Sequence, residues 1–441
     1  MTKKSKTDAK NIRVYKFLLQ PNNEQKTLIN KTIGCARKVY NLILDAHIKN
    51  YKDYKEYTDK YIKDCLEVGI PKENIVVDKY KMPSITPKQF KVLQKYNYLN
   101  EVDSLALANA QLHVETAYKN FFKGNAKFPR FKSKKNCKLS YTTNCVNNSI
   151  RFVYQQTVDK QTGNIINTNN IIGIQLPKLG VVKLNAHRQV IKDSVIKNVT
   201  ITHKPSGKYE ISITTEAPNT SSYYEELELS NNTILTEDYL KNYSDRILGL
   251  DYDSKHLYTD NQGNRADYPK FYYKSMKRLA RLQKQFSRKA KKSKNRKKLR
   301  LQIAKLHEHI SNQRKDFLHK LSKILSEKYD FIIVEDINMQ SMARSLRLAK
   351  TTYDNSFGMF RTFLSYKLEK HGGQLIKVGK TFASTQLCSV CGYKNTDIKG
   401  VEHLDVREWE CPECHTYHDR DINAAINIKA EGMELLSASI S

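Results

Sequence analysis

Ile247-Leu248-Gly249-Leu250-Asp251 is an apolar run that ends on a carboxylate, and Phe331-Ile332-Ile333-Val334-Glu335 repeats the pattern further along. Apolar runs of this length, bounded by polar residues, read as buried strands. Asp421-Ile422-Asn423-Ala424-Ala425-Ile426-Asn427-Ile428 is Ala-rich and reads as a helix with an acid at its start. Two carboxylates at strand ends and one at a helix start can meet in space while lying far apart in sequence. Meeting carboxylates repel and call for a cation, and oxygen-only ligands suit Mg²⁺ or Mn²⁺. Two such ions can activate a water and stabilise the leaving oxygen of a phosphodiester.

Between the second and third acids lie Cys388-Ser389-Val390-Cys391 and Cys411-Pro412-Glu413-Cys414, with nineteen residues separating the pairs. That spacing is the signature of a four-thiolate zinc site. Such a site is closed and structural, because no coordination position is left open. His403, His415 and His418 are the alternates should one thiol not ligate. Cys35, Cys65, Cys137 and Cys145 have no ligand spacing and read as ordinary thiols.

The chain has 441 residues, enough for two to four domains. Its formal net charge is +31, from 76 Lys and Arg against 45 Asp and Glu. A charge so large and so clustered is expected on a protein that neutralises a phosphate backbone. No apolar run approaches membrane-spanning length and no apolar segment follows the basic start. Reduced thiols and a cytoplasmic, prokaryotic, nucleoid-associated location are the expectation.

Taken in order, residues 12–20 read as a strand, Pro21-Asn22-Asn23 as a turn, and 24–50 as an amphipathic helix. Tyr51, Tyr54, Tyr57 and Tyr61 continue the helical spacing as a half-buried stripe. Ser104 is the predicted cap of a helix running to Phe122, followed by the basic, aromatic loop Lys127–Lys135. From 138 to 216 the period becomes two, with strands expected at 139–144, 149–155, 170–176, 181–184, 195–203 and 208–216. Several short strands with turns suggest a small antiparallel barrel. Residues 217–244 read as a linker. The segment 274–300 holds fourteen Lys and Arg and no acid. It reads as a long basic helix broken near Ser293, with a second helix over 309–328, and points to contact with nucleic acid.

The strings LGLD (248–251), FIIVEDINM (331–339), STQLCSVCG (384–392), CPECHTYHDRDINAAINI (411–428) and FPRFKSK (128–134) together resemble the TnpB family. Its members are transposon-encoded, RNA-guided nucleases with a RuvC domain, related to miniature type V CRISPR effectors. The likeness is dense over 246–428, thinner at 12–45 and 104–135, and carries no motif in 150–235. It implies a multidomain α+β chain. Residues 1–21 and 126–240 would form a wedge-type β-barrel, and 22–125 an inserted helical recognition domain. Residues 246–383 and 416–441 would form an RNase H-like (RuvC) α/β domain, with 384–415 as an inserted zinc ribbon. Asp251, Glu335 and Asp421 would be the catalytic acids holding two Mg²⁺, with Asp419 the rival for third acid. Cys388, Cys391, Cys411 and Cys414 would hold Zn²⁺. Arg37, Tyr40, Arg130, Lys132, Lys134, Lys135, Arg288, Lys291, Lys292 and Arg296 would contact nucleic acid. The implied partners are a guide RNA from the same locus and target double-stranded DNA, with a transposase encoded nearby. A nuclease-inactive DNA-binding repressor, a transposase and a miniature CRISPR effector are the competing readings. One departure stands out: many relatives carry Gly two residues after the first acid, where this chain has Asp253.

Overall fold

A computed structural model describes residues 12–158, 165–218, 242–339, 341–342, 349–398 and 406–439. Residues 219–241 of the expected 217–244 linker, and His403, lie outside the described residues. The chain divides into two compact units, Met1–Asn219 and Thr220–Ser441.

In the first unit, β1 (Ile12–Gln20) buries Tyr15, Phe17 and Leu19 on one face, as alternation demands. The chain turns at Pro21, and Asn22 caps α1 (Asn23–Glu67). Asn22 accepts from Gln25 N at 2.8 Å while its own N–H donates to Gln25 Oε1 at 3.0 Å, a reciprocal capping box. The helix is one unbroken rod of 45 residues, so the Tyr stripe belongs to the same helix as the start. Tyr51 and Tyr54 pack around Tyr80, as a half-buried stripe should, whereas Tyr57 is 71% exposed. After α2 (Pro87–Lys91), α3 (Ser104–Phe122) packs against α1 through Leu107, Ala110, Val114 and Tyr118. Asp103, not Ser104, is its cap: the Asp103 carboxylate accepts from Leu105 N.

Six more strands follow: β2 (Ser140–Asn144), β3 (Arg151–Val158), β4 (Ile165–Leu176), β5 (Gly180–Asn185), β6 (Val195–His203) and β7 (Tyr209–Glu216). With β1 they form a seven-stranded antiparallel sheet in the order β2-β6-β7-β1-β5-β4-β3. The first strand therefore sits in the middle, with its register running from Ile12↔Glu216 to Leu19↔Tyr209 on one side. Among the described residues no ladder joins β2 to β3, so the pairing is that of an open sheet where a small barrel was the expectation. Helices and sheet share one apolar core.

The second unit is built on a four-stranded sheet in the order β11-β10-β8-β9. β8 (Ile247–Tyr252), β10 (Phe331–Glu335) and β11 (Gln374–Val378) run parallel, and β9 (Tyr258–Asp260) returns antiparallel beside β8. All six residues of β8 are buried, which is why its sequence is a continuous apolar run. Arg246 clamps Asp330 with two hydrogen bonds, pinning the starts of β8 and β10 together.

α4 (Phe271–Ser287) and α5 (Lys294–Lys328) form an antiparallel-packed pair around Leu279, Leu306 and Ile310. The break falls where expected, with Ser293 capping α5 through Arg296 N at 3.1 Å. The expected second helix is not separate: α5 continues through 309–328 without interruption. α6 (Ala349–Asn355) and α7 (Phe357–Lys370) complete the layer over the sheet, where Phe357, Phe360, Leu364 and Leu368 are buried.

The last helix, α8 (Arg420–Ala438), lies on β8 and β10. Its approach is so close that a Cβ on Gly249 would stand 2.3 Å from Ala425 O, and one on Gly432 2.4 Å from the Ile333 side chain. Glycine in the strand and Ala424-Ala425 in the helix are thus one device for bringing backbone to backbone. No helix among the described residues is long and apolar enough to cross a membrane.

Candidate active site

The close packing of α8 on β8 sets the first turn of the helix beside the ends of the parallel strands. Asp251 comes from β8, Glu335 from the last position of β10, and Asp421 from the first turn of α8. Asp251 is buried. Burial, then the charges of Asp421 and Glu335, push its carboxyl well above the ordinary range. Burial likewise raises Glu335. Burial and then the nearby Asp253 raise Asp421, against the pull of Arg407 and Arg265. Three elements thus bring three acids within electrostatic reach. Among the described residues no Lys or Arg forms an ion pair with Asp251 or Glu335. A group of acids with unmet negative charge suits a hard divalent cation.

Asp419 is a different kind of residue. Its Oδ1 accepts from Asp421 N and Ile422 N, both at 3.0 Å, and its Oδ2 pairs with Arg265 at 2.7 Å. Both oxygens are occupied by capping α8 and holding Arg265, which leaves Asp421 as the acid in the group. Asp421 itself has Arg407 at 3.4 Å. Asp336 lies outside the group, facing Arg361 and Lys380 at 3.7 Å each. Arg361 also donates to the carbonyls of Glu335 and Ile337, fixing the chain as it leaves β10. Arg265, Arg361 and Arg407 carry no motif and were not legible in the sequence.

Asp253 is buried, with one oxygen accepting from Lys255 N at 2.7 Å and the other 2.5 Å from His256 Nδ1. Burial opposes its ionisation, but these hydrogen bonds outweigh burial and hold it below the ordinary carboxylate range. The departure at this position is therefore a built, charged feature. Its only sequence signal was the Asp-x-x-His spacing.

The second centre is local. The ligand atoms of Cys388, Cys391, Cys411 and Cys414 all lie within 4.8 Å of one another, and two of the sulfur pairs are 3.6 Å apart. A tetrahedral site with Zn–S bonds of about 2.3 Å has sulfurs roughly 3.8 Å apart, so the thiols fit zinc. β12 (Glu408–Glu410) and β13 (Tyr417–Asp419) form the ribbon that carries the second pair. Trp409 and His418 pack behind it, with His418 Nε2 3.1 Å from Cys388 Sγ. His415 points instead to Glu410. Asn423 and Asn427 tie this loop to the last helix. Asn423 accepts from Ser389 N at 2.9 Å and donates to Leu387 O at 2.7 Å. Asn427 donates to Ser384 O and Leu387 O. The asparagines of the D-x-N-A-A-x-N pattern thus couple the thiol loop to the helix that carries Asp421.

The basic residues divide by setting. Arg130, Lys134, Lys135, Arg288, Lys291 and Lys292 are exposed. Tyr40 is buried, and the Lys132 ammonium covers its ring at 3.6 Å from the centroid, so Tyr40 is a packing residue with no face free for a base. Asn41 holds the Lys132 backbone from both sides, at 2.8 and 2.9 Å. Arg37, His113 and Lys132 line a cavity of about 150 Å³ in the first unit. Arg296 is a corner brace: it donates to the carbonyls of Phe286 and Lys289 and lies 4.0 Å over the Phe286 ring.

Acids gathered on a mixed sheet, a four-thiol ribbon and a strongly basic chain have the makeup of a metalloprotein that works on nucleic acid. Three family models match: "Helix-turn-helix domain" over 11–56, "Probable transposase" (OrfB_IS605) over 237–346, and "Cas12f1-like, TNB domain" over 357–428. The first of these spans β1 and part of α1, a strand followed by a single helix. A Streptomyces pristinaespiralis protein named "Putative RNA-guided DNA endonuclease" is 28% identical, covering 96% of this chain and 89% of that one. An Escherichia coli K12 protein named "Putative RNA-guided DNA endonuclease InsQ" is also 28% identical, covering 97% and 94%. An Acanthamoeba polyphaga mimivirus "TnpB-like protein L79" is 31% identical over 32% of this chain and 27% of its own. These matches bear out the resemblance to the TnpB family that the sequence motifs carry.

Proposed function

We propose that this chain is an RNA-guided DNA endonuclease of the TnpB type, with a RuvC-type centre that cuts double-stranded DNA beside a short flanking motif. The observation that carries this reading is the grouping of Asp251, Glu335 and Asp421, set by the contact of α8 with β8. Asp251, Glu335 and Asp421 would hold two Mg²⁺, which when bound supply a water of lowered pKa and charge stabilisation at the leaving oxygen. The chain's own part is to gather the acids, to keep Asp419 out of the ligand set through Arg265, and to brace the strand ends with Arg361. Zn²⁺ on the four thiols holds the ribbon against α8. Arg130, Lys134, Lys135, Arg288, Lys291 and Lys292 supply exposed charge for a guide RNA from the same locus and for the target duplex. Lys132 adds charge at the cavity beside Arg37. A nearby transposase fits the transposon context of the family.

A nuclease-inactive repressor would have no use for three intact, mutually repelling acids, since burying them costs stability. The deciding experiment expresses the protein with its flanking genomic region and assays the co-purified ribonucleoprotein. Wild type should cut a target matching the variable end of the RNA in Mg²⁺ and not in EDTA. Asp251→Ala should reduce cutting by at least about 10³-fold while RNA and target binding persist. A variant that still cuts, or that loses binding together with cutting, would overturn the assignment.

A further inference from the structure

A cavity of about 580 Å³ is lined by Lys255, His256, Asp267, Lys270, Tyr273 and Lys274 among others. Three lysines and an imidazole face one carboxylate, so the lining favours an anion. Lys255, Lys270, Tyr273 and Lys274 are exposed. Lys270 has a left-handed backbone, φ +49°, a conformation that costs a non-glycine residue energy and is often retained where function needs it. His256 joins the cavity to the acids. Its Nδ1 is 2.5 Å from the buried Asp253 carboxylate, and its Nε2 faces the cavity side, 3.7 Å from the exposed Asp267. Asp253 in turn stands two residues from Asp251.

We propose that this cavity is a nucleotide subsite for the DNA strand being cut. It receives the phosphate neighbouring the scissile one on Lys270, Lys274 and His256, and a base against Tyr273. Asp253 is a positioning residue: it fixes the imidazole so that the bound phosphate lies in line with the acids. The volume accommodates about one nucleotide with its solvent. A single DNA strand is favoured over guide RNA because His256 in the lining bonds Asp253, whose charge acts on both Asp251 and Asp421, and the strand that reaches those acids is the substrate. The inference rests on the nuclease reading and deepens it.

The test uses the full ribonucleoprotein in EDTA, so that binding is read without cutting. Fluorescence anisotropy with a labelled single-stranded DNA oligonucleotide compares wild type, Lys270→Ala/Lys274→Ala, Tyr273→Ala and Asp253→Asn. These lysines and Tyr273 are exposed, so their variants should keep the wild-type melting temperature. The double lysine variant should bind about 10-fold more weakly, and the slope of log K against log salt should shrink by roughly 1 to 2. Tyr273→Ala should lose about 5-fold at unchanged salt slope, as stacking predicts. Asp253→Asn, with melting temperature checked alongside, should weaken binding while His256→Ala in the same chain adds no further loss. Unchanged single-strand affinity and salt slope in the lysine variant would overturn the subsite. So would loss of co-purified RNA with single-strand binding intact, which would assign the cavity to the guide. A wild-type complex that binds single strands through this cavity yet never cuts would sink the nuclease reading alone.

Discussion

The acid group and the thiol group both lean on α8, yet they are assembled in opposite ways. The four thiols sit on one loop, their ligand atoms within 4.8 Å of one another, and fit a closed site that the loop's own residues complete. The three acids come from two strands and a helix, and are brought together by the pairing of β8 with β10 and the packing of α8 on β8. Zinc on the thiols would add its binding free energy to folding, whereas the acids are gathered by a fold that already exists and are left repelling one another. Once loaded, the first centre would contribute stability, while the second stores a cost.

That contrast can be broken at several points. The largest effect should come from Cys411→Ser with Cys414→Ser. Bound zinc should fall to none by elemental analysis, and the melting temperature should drop by on the order of 5–10 °C. Full zinc or an unchanged melting temperature would mean that the loop holds itself without metal.

Next comes Gly249→Ala, which places a Cβ 2.3 Å from Ala425 O. The helix must shift, at a cost of about 3 kcal/mol in chemical denaturation, and cutting should fall even where the protein stays folded. Gly34 in α1 is the control, since a Cβ added there would meet nothing within 4 Å. There Ala should stabilise by about 0.5–1 kcal/mol.

The sign reverses for Asp251→Asn. The folded protein keeps the Asp251 carboxyl protonated above its unfolded value of about 3.9. Its contribution is therefore undiminished below that value and turns against stability as pH rises towards the raised folded one. Without metal, the Asn variant should be more stable than wild type at pH 7, equal to it near pH 4, and inactive. Saturating Mg²⁺ should close the gap by stabilising wild type. A less stable Asn variant would show that the acids are not strained by one another.

The smallest effect is expected for Asn423→Ala, which removes one hydrogen bond to each of Ser389 and Leu387. A loss of about 1–2 kcal/mol, with zinc retained, would confirm a fastening role. Zinc loss at equal stability would instead place Asn423 in the metal site.

Much of this was legible in the chain itself. The grouping of Cys388, Cys391, Cys411 and Cys414 into a cluster that could hold zinc was legible by spacing alone, because ligands on one loop need only local geometry. β8 and β10 declare burial because a parallel strand covered on both faces has no polar alternation to show. The break at Ser293 and the cap at Asn22 were equally local, being hydrogen bonds between residues three apart.

Tertiary structure alone decided the rest. It placed β1 between β5 and β7, far away in sequence, and left the seven strands as an open run. It buried Tyr40 under Lys132 and turned Arg296 inward to Phe286, where the family resemblance implied contacts to nucleic acid. It separated Asp421 from Asp419 by giving the second an arginine and a helix cap, and it joined Asp253 to His256. Local pattern records what a residue prefers among its neighbours along the chain. Which oxygen is already satisfied, and which is left for a metal, depends on groups that only the packed fold brings within about 3 Å.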